Sequence, residues 1–381
     1  MVIPLGVTNE NTLSLYFHVP FCTKKCQYCH FYVLPDQKRF KQKYLEALKI
    51  EWEWRLPLIK GKKLVSIYFG GGTPSLLGPS HIAEILDWIQ IPNETEVTLE
   101  ANPENMTYEL AKQFFEGGIN RLSIGVQSFN DDELKLLGRT HTSAQAITAI
   151  ENVYRAGFGN ISIDLIYDLP DQTLPLWKNT LKQGLDLPIS HLSLYNLTLE
   201  PHTGFFKQRK QLFPRMASPE LSLAFLETAI SDATIKGLKR YEISAFAKPD
   251  FFSRHNLGYW IGRPFLGFGP SAYSYWEGKR FSNLAHFNRW AKKILSNENP
   301  VNFEEELTVE NQRKELLSIG LRVLNGISLK AFEQRFGKLD EITHQKLRLF
   351  KSEGYLENLG DQIKLTHRGT MVYDTLAIEL I

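Results

Sequence analysis

Residues 16–31 read YFHVPFCTKKCQYCHF. An apolar, aromatic-rich run at 15–20 ends in a proline, and Cys22, Cys26 and Cys29 follow at once. These three are the only cysteines among 381 residues, so no disulfide framework is open to the chain. The C-x3-C-x2-C spacing, starting just past a strand-like segment, lets one short loop wrap three thiolates around a single centre. Soft thiolates select iron–sulfur, zinc or copper. Three ligands on a four-iron cluster leave one iron open, which chemistry at a metal requires. A zinc site completed by His30 or His18 is the other reading, although structural zinc usually draws on two separated ligand pairs and no second pair occurs.

The rest of the chain supplies the frame for this loop. Short apolar runs at 15–20, 64–69, 97–100, 121–127, 161–167 and 192–197 alternate with helix-like stretches near 39–57, 80–90, 107–116, 143–156 and 173–185. Six strands each followed by a crossover predict a parallel β/α architecture. Uninterrupted apolar strands suit a sheet buried on both faces. Polar residues gather where the strands end: Cys22, the 70–74 run, Glu100, Gln127, Asp164 and Asn196. A β/α barrel builds its sites on that rim, and a doubly wound sheet does the same, so the alternation alone does not separate them.

Beyond Asn196 a helix is expected around 217–237, then a Pro/Gly/aromatic-rich segment at 241–275. Near 296–307 the chain turns polar and acidic (SNENPVNFEEE), which places a boundary between a core of residues 1–296 and a C-terminal domain of residues 297–381. That domain reads as amphipathic helices, a hairpin at 355–365 turning at Gly360-Asp361, and a last helix: a small, winged-helix-like module suited to covering the barrel mouth or docking a partner. Lys plus Arg number 44 against 42 Asp plus Glu, a net charge of +2. Such balance argues against a broad nucleic-acid footprint or an electrostatic membrane anchor. No run of about 18 apolar residues occurs, so no transmembrane helix is expected. The opening MVIPLGVTNENT lacks the basic-then-apolar pattern of a signal peptide, which predicts a cytoplasmic protein.

One β/α unit after the cysteines comes Gly70-Gly71-Gly72-Thr73-Pro74. Glycines let a backbone approach a ligand closely. A tight βα turn would use the same residues, and the absence of a following Gly-Lys-Ser/Thr excludes a P-loop.

Taken together, these residues resemble the radical S-adenosylmethionine (radical SAM) superfamily, with an α/β fold: a partial, open (β/α)6 TIM-like barrel. The string from Tyr16 to Cys22 resembles the branch that contains oxygen-independent coproporphyrinogen III oxidase and the HemW-type heme chaperones. The resemblance implies a [4Fe-4S] cluster on Cys22, Cys26 and Cys29, whose open iron binds SAM. One-electron reduction there cleaves the sulfonium to a 5′-deoxyadenosyl radical. It implies that Gly71, Gly72 and Thr73 cradle the methionine end, and that Tyr16 packs on the cluster side. SAM needs an acceptor for its ammonium, a cation for its carboxylate and partners for its ribose. Glu100 suits the first, Arg139 the second, and Gln127 and Asp164 the third. Asp168, in Tyr-Asp-Leu-Pro, departs from the family, which usually has glycine there.

Two features divide the branch. Oxidases carry a fourth cysteine two residues after the third, where this chain has Phe31, and an N-terminal extension for which little room precedes the first strand. His255-Asn256-Leu257-Gly258-Tyr259-Trp260 resembles the HNxxYW motif of the HemW type, which implies heme at His255, Tyr259 and Trp260; a capped histidine in an aromatic core is the plain alternative. Gly267-Phe268-Gly269-Pro270-Ser271-Ala272 also fits the branch. The expected function is a heme chaperone, binding heme and delivering it to acceptor hemoproteins, with a flavodoxin or ferredoxin as electron donor. The alternative is the oxidase, acting on a porphyrinogen. A nucleic-acid-modifying enzyme would need a basic patch.

Overall fold

The structure, a computed structural model, describes residues 11–381, so the first ten residues of the stretch read for a leader lie outside it. All six expected strands form: β1 (Thr12–Val19), β2 (Lys63–Gly71), β3 (Glu96–Ala101), β4 (Arg121–Gln127), β5 (Ile161–Tyr167) and β6 (His191–Asn196). Each pairs parallel with the next in sequence. Leu15, Phe17, Ile67, Leu99, Ile124, Ile163 and Leu192 are fully buried, as a sheet covered on both faces demands. The five expected helices lie between them, Lys38–Ile59, Pro79–Ile89, Tyr108–Glu116, Ser143–Arg155 and Leu174–Leu185, with an additional short one at Asp131–Leu137.

The sheet continues past the six strands at both ends. Strands β7 (Lys239–Glu242), β8 (Ala245–Ala247), β9 (Phe265–Phe268), β10 (Tyr273–Trp276), β11 (Lys279–Asn283) and β12 (Val301–Glu306) complete the order β12-β11-β10-β9-β1-β2-β3-β4-β5-β6-β8-β7. Its two ends do not pair, so the barrel is partial and open.

The acidic stretch expected to mark a domain boundary is strand β12. It pairs with β11 in the register Lys279↔Glu306 and Arg280↔Glu305, and its glutamates are exposed at the free edge. Charge on an edge strand blocks pairing with other chains, and by composition alone it reads as a linker. The main sheet runs to Glu306.

The C-terminal part holds helices Val309–Gly320, Leu329–Phe336, Glu341–Ser352 and Tyr373–Leu380, and the hairpin Leu356–Leu359 with Gln362–Leu365. Leu317, Phe332, Phe350 and Leu376 form a second core there, into which Tyr241, Leu257 and Ile261 also pack. No helix among the described residues is long and apolar enough to cross a membrane.

Candidate functional site

The loop after β1 is fixed before it reaches the first cysteine. Phe21 is fully buried, edge-on to Tyr44 at 5.7 Å and to Phe287 at 6.4 Å. Further on, the Gln27 N–H donates to the Leu137 carbonyl at 3.0 Å, and the Gln27 carbonyl accepts from the Phe205 N–H at 2.9 Å. Tyr28 packs against the small apolar cluster of Leu137, Ile166, Leu197 and Phe205. The cysteine loop is thus held at its start and again at Gln27 and Tyr28.

The glycine run lies across the end of β1. Gly72 and Thr73 donate their N–H groups to the carbonyls of Val19 and Phe21, at 2.9 and 2.7 Å. Gly71 has φ +114°, and a Cβ there would stand 2.7 Å from the His18 imidazole. A Cβ on Gly72 would stand 2.6 Å from the Phe21 carbonyl oxygen and 3.1 Å from Cys22 Sγ. Only glycine permits this approach, which seats Thr73 Oγ1 3.6 Å from Cys22 Sγ.

From Thr73 a directed chain of hydrogen bonds crosses the rim. Arg139 Nη2 donates to Asn102 Oδ1 at 2.8 Å and to the Gly125 carbonyl at 2.7 Å. Asn102 Nδ2 then donates to Thr73 Oγ1 at 3.1 Å, which brings that hydroxyl within reach of the Cys22 sulfur. The other guanidinium nitrogen, Arg139 Nη1, is 3.6 Å from Cys26 Sγ. Glu104 braces this chain from behind: its carboxylate faces His141 at 3.5 Å and accepts from Thr140 at 3.0 Å. Burial pushes the Glu104 carboxyl up, but His141 and the Arg139 charge outweigh it and hold it at about 2.

Two carboxyls form the floor. Glu100 accepts from the Tyr68 hydroxyl at 2.8 Å and the Gly71 N–H at 3.2 Å; burial, helped by the charge of Asp164, pushes it up to about 7. Asp164 accepts from Ser123 at 3.3 Å and is pushed up by burial to about 6. Two carboxyls desolvated in one place call for a cation. Gln127 sits beside them at a break in the β4–β5 register, with φ +70°.

These groups face one cavity of about 470 Å³ at the C-terminal ends of the strands. Cys22, Cys26, Cys29, Gly71, Gly72, Thr73, Glu100, Gln127, Arg139 and Asp164 all line it. Asn102 lines it too and was not singled out from sequence; it stands two residues after Glu100 in Glu-Ala-Asn-Pro, where it reads as a turn residue. Tyr16 does not line the cavity: its ring lies beneath Gly70, with its hydroxyl 3.1 Å from His18 Nδ1.

The HNxxYW segment lies elsewhere. Ser253 caps the helix Arg254–Trp260, and Glu96, the first residue of β3, accepts the N–H groups of Arg254 and His255 at 2.9 and 3.0 Å. His255 is 1% exposed, with Nδ1 2.9 Å from Ser66 Oγ and Nε2 2.8 Å from the Tyr259 hydroxyl. Burial lowers its pKa to about 3, so the ring is neutral. A neutral imidazole with both nitrogens bonded to protein has no free lone pair for iron. None of His255, Tyr259 and Trp260 lines the cavity; Trp260 lies under the Arg322 guanidinium, 4.3 Å away. In this fold the helix packs against Ser66 of β2 and Glu96 of β3, away from the cavity. The C-terminal module packs on that helix, and none of its residues lines the cavity.

The departure at Asp168 is resolved by its backbone. Its φ is +63°, in the left-handed region that glycine occupies freely and aspartate tolerates. The carboxylate accepts from Asn196 Nδ2 and Ser222 Oγ, which hold the conformation.

The donor set fits the expected cofactors. Three free cysteines line one wall, and burial pushes Cys22 up to about 11 and raises Cys29. No three His, Cys, Asp or Glu among the described residues are arranged to hold one metal ion; cluster thiolates bind separate irons and stand farther apart. Opposite them, Glu100 suits the ammonium of SAM and Asp164 its ribose hydroxyls. Arg139, whose buried Nε has no partner, suits its carboxylate.

The sequence profile of the radical SAM superfamily matches residues 16–183, and that of the HemN C-terminal domain matches residues 307–372, the module that follows β12. The chain is 33% identical over 365 residues to the heme chaperone HemW of Bacillus subtilis, covering 94% of this chain and 96% of that one. It is 34% identical over 361 residues to the heme chaperone HemW of Lactococcus lactis, covering 93% and 94%. In fold it is similar to coproporphyrinogen III oxidase of Escherichia coli, at TM-score 0.84 and 24% identity, covering 99% of this chain and 92% of that one. With the cysteine loop, glycine cradle and acidic floor on one cavity, the chain belongs to the radical SAM superfamily and, within it, to the HemW family.

Proposed function

We propose that this chain is a heme chaperone: it binds heme and delivers it to acceptor hemoproteins in the cytoplasm, with a [4Fe-4S] cluster and SAM held in the cavity at the barrel rim. The observation that carries this reading is the identity to HemW proteins over nearly the whole chain, together with a complete cofactor cavity. Cys22, Cys26 and Cys29 would hold the cluster. Glu100 would take the SAM ammonium, Arg139 its carboxylate, and Gln127 and Asp164 its ribose hydroxyls. A cluster held there would, once reduced, supply one electron to the SAM sulfonium. A flavodoxin or ferredoxin fits the need for a low-potential, one-electron donor.

The similarity to the oxidase is one of fold, and Phe31 occupies the place of the oxidases' fourth cysteine. Two anaerobic reactions separate the readings. In the first, heme-loaded protein with cluster, SAM and reductant is mixed with an apo-hemoprotein, and heme transfer is followed by absorbance. In the second, coproporphyrinogen III replaces heme and tetrapyrroles are quantified by HPLC, with 5′-deoxyadenosine as internal control. Transfer without protoporphyrinogen is expected. Protoporphyrinogen formed over many turnovers would establish the oxidase instead.

A further inference from the structure

We infer that Arg121 is a positioning residue for SAM: it stands inside the barrel as the fixed countercharge beneath Glu100 and Asp164. The inference rests on the SAM part of the proposed function and not on heme delivery. A β/α barrel ordinarily fills its interior with branched apolar side chains. Here Ser66, Thr98, Ser123, Ser162 and Ser193 are all buried on the strands below the cavity. Arg121 lies among them. Along β4, Leu122 and Ile124 turn into the main apolar core while Ser123 lines the cavity, so Arg121 shares the inward face with Ser123. In the strand register it stands opposite Thr98, two residues before Glu100. Arg121 is 2% exposed, its Nε has no hydrogen-bond partner, and it forms no ion pair among the described residues. A buried charge without a partner is expensive, so this one must be balanced by charge nearby.

The carboxyls of the floor supply that balance. Burial pushes Glu100 up to about 7, and the Asp164 charge adds to it; the Tyr68 hydroxyl, the Gly71 N–H and the Arg121 charge pull it down. Burial pushes Asp164 up to about 6, against Ser193, Arg121, Ser123 and Arg139. Arg139 is engaged with the cluster sulfurs and with the place of the SAM carboxylate, which leaves Arg121 to offset both acids. Other titratable groups face the same carboxyls. Burial raises the hydroxyls of Tyr16, Tyr68 and Tyr259, and Tyr195 faces them from β6. Burial lowers His191, and the Arg121 charge lowers it further; at His255 burial, Arg263 and Arg121 act in that order. The tyrosines of β1, β2 and the Arg254–Trp260 helix and both imidazoles are therefore neutral near pH 7. With no single bond tying it to one carboxylate, the guanidinium acts on both through its field. It keeps them ionised ahead of the ammonium and ribose they are to receive.

The test is anaerobic calorimetry of SAM binding to the full chain with its cluster reconstituted, from pH 6 to pH 8.5. Wild type is compared with Arg121→Met, Arg121→Gln and Arg121→Lys, with iron content checked in each. Expressing each affinity as a ratio to wild type cancels the titration of the SAM amino group itself. The two uncharged variants should move the rise in affinity toward alkaline pH by roughly one unit, the order of effect of a nearby opposite charge. Near pH 7 that takes the ionised fraction of Glu100 from about a half to about a tenth, so binding should weaken roughly fivefold. By pH 8.5 the ratio should return close to one, because the floor is then ionised in every form and a positive charge facing the SAM cation is gone. Arg121→Lys keeps the charge and should keep the wild-type profile. Should Arg121→Met assemble no cluster, Arg121→Gln, whose amide suits a hydroxyl-lined interior, carries the test. A loss equal at every pH would make Arg121 a packing residue and overturn the proposal, as would Arg121→Lys behaving like Arg121→Met. Absence of SAM binding in wild type with an intact cluster would instead remove the cofactor reading beneath it, a failure visible before any variant is made.

Discussion

Arg139 and Cys26 meet across 113 residues of sequence: the guanidinium Nη1 lies 3.6 Å from the Cys26 sulfur. The same side chain reaches Cys22 indirectly through Asn102 and Thr73. One cation therefore addresses two of the three cluster thiolates while facing the cavity where the SAM carboxylate is expected. Hydrogen bonds to sulfur tune iron–sulfur potentials. Lysine carries the charge but not the fork. Arg139→Lys should keep full iron content, weaken SAM binding by roughly tenfold or more, and shift the cluster's reduction potential. Calorimetry and an EPR-monitored redox titration read the two effects. Unchanged values in both would reduce Arg139 to a packing residue.

Asn102, which also lines the cavity, is the link between the Arg139 guanidinium and Thr73. Asn102→Ala removes one hydrogen bond from the guanidinium and one to Thr73. Hydrogen bonds to a charged group contribute about 1.5–3 kcal/mol, so SAM affinity should fall by roughly tenfold while the cluster still assembles. Asn102→Asp, which restores the acceptor for Arg139 alone, should recover part of the loss. Equal binding by both variants and wild type would disprove the relay.

The acidic floor predicts a pH dependence. Glu100 is raised to about 7, so near pH 6 it is mostly protonated and cannot serve as an anionic acceptor for an ammonium. SAM affinity should therefore rise from pH 6 to pH 8, and Glu100→Gln should bind more weakly with a flatter profile. Stability of the ligand-free chain runs the other way. Between the unfolded carboxyl's pKa of about 4.3 and 7, the folded chain holds a proton that the unfolded chain releases, so this contribution is lost as pH rises through that window. Denaturant unfolding of Glu100→Gln and wild type across the window checks the sign.

Asp168 offers a test of backbone against side chain. Glycine there would relieve the left-handed conformation at φ +63°, worth about 1–2 kcal/mol, but would lose the bonds from Asn196 and Ser222. Alanine loses the bonds and keeps the strain. Asp168→Ala should be more destabilising than Asp168→Gly by about 1 kcal/mol in urea unfolding. The reverse order would mean that the left-handed conformation carries no strain here.

The sequence by itself determined what is local. The strand–helix alternation from 15 to 197 appears in the structure nearly residue for residue, because buried parallel strands need continuous apolar runs and amphipathic crossovers. The cysteine loop and the glycine run were visible for the same reason, since each packs its chemistry into a few neighbouring positions.

What only the tertiary structure decided depends on distant partners. Asn102 matters through Thr73 and Arg139, 29 and 37 residues away, and no local pattern marks it. The acidic segment read as a boundary contains strand β12, because Lys279 and Arg280 lie across from its glutamates. The HNxxYW motif turns inward because Ser66 and Glu96, more than a hundred residues earlier, provide partners for His255. A histidine's availability to iron depends on what already bonds its nitrogens, and that is settled by packing.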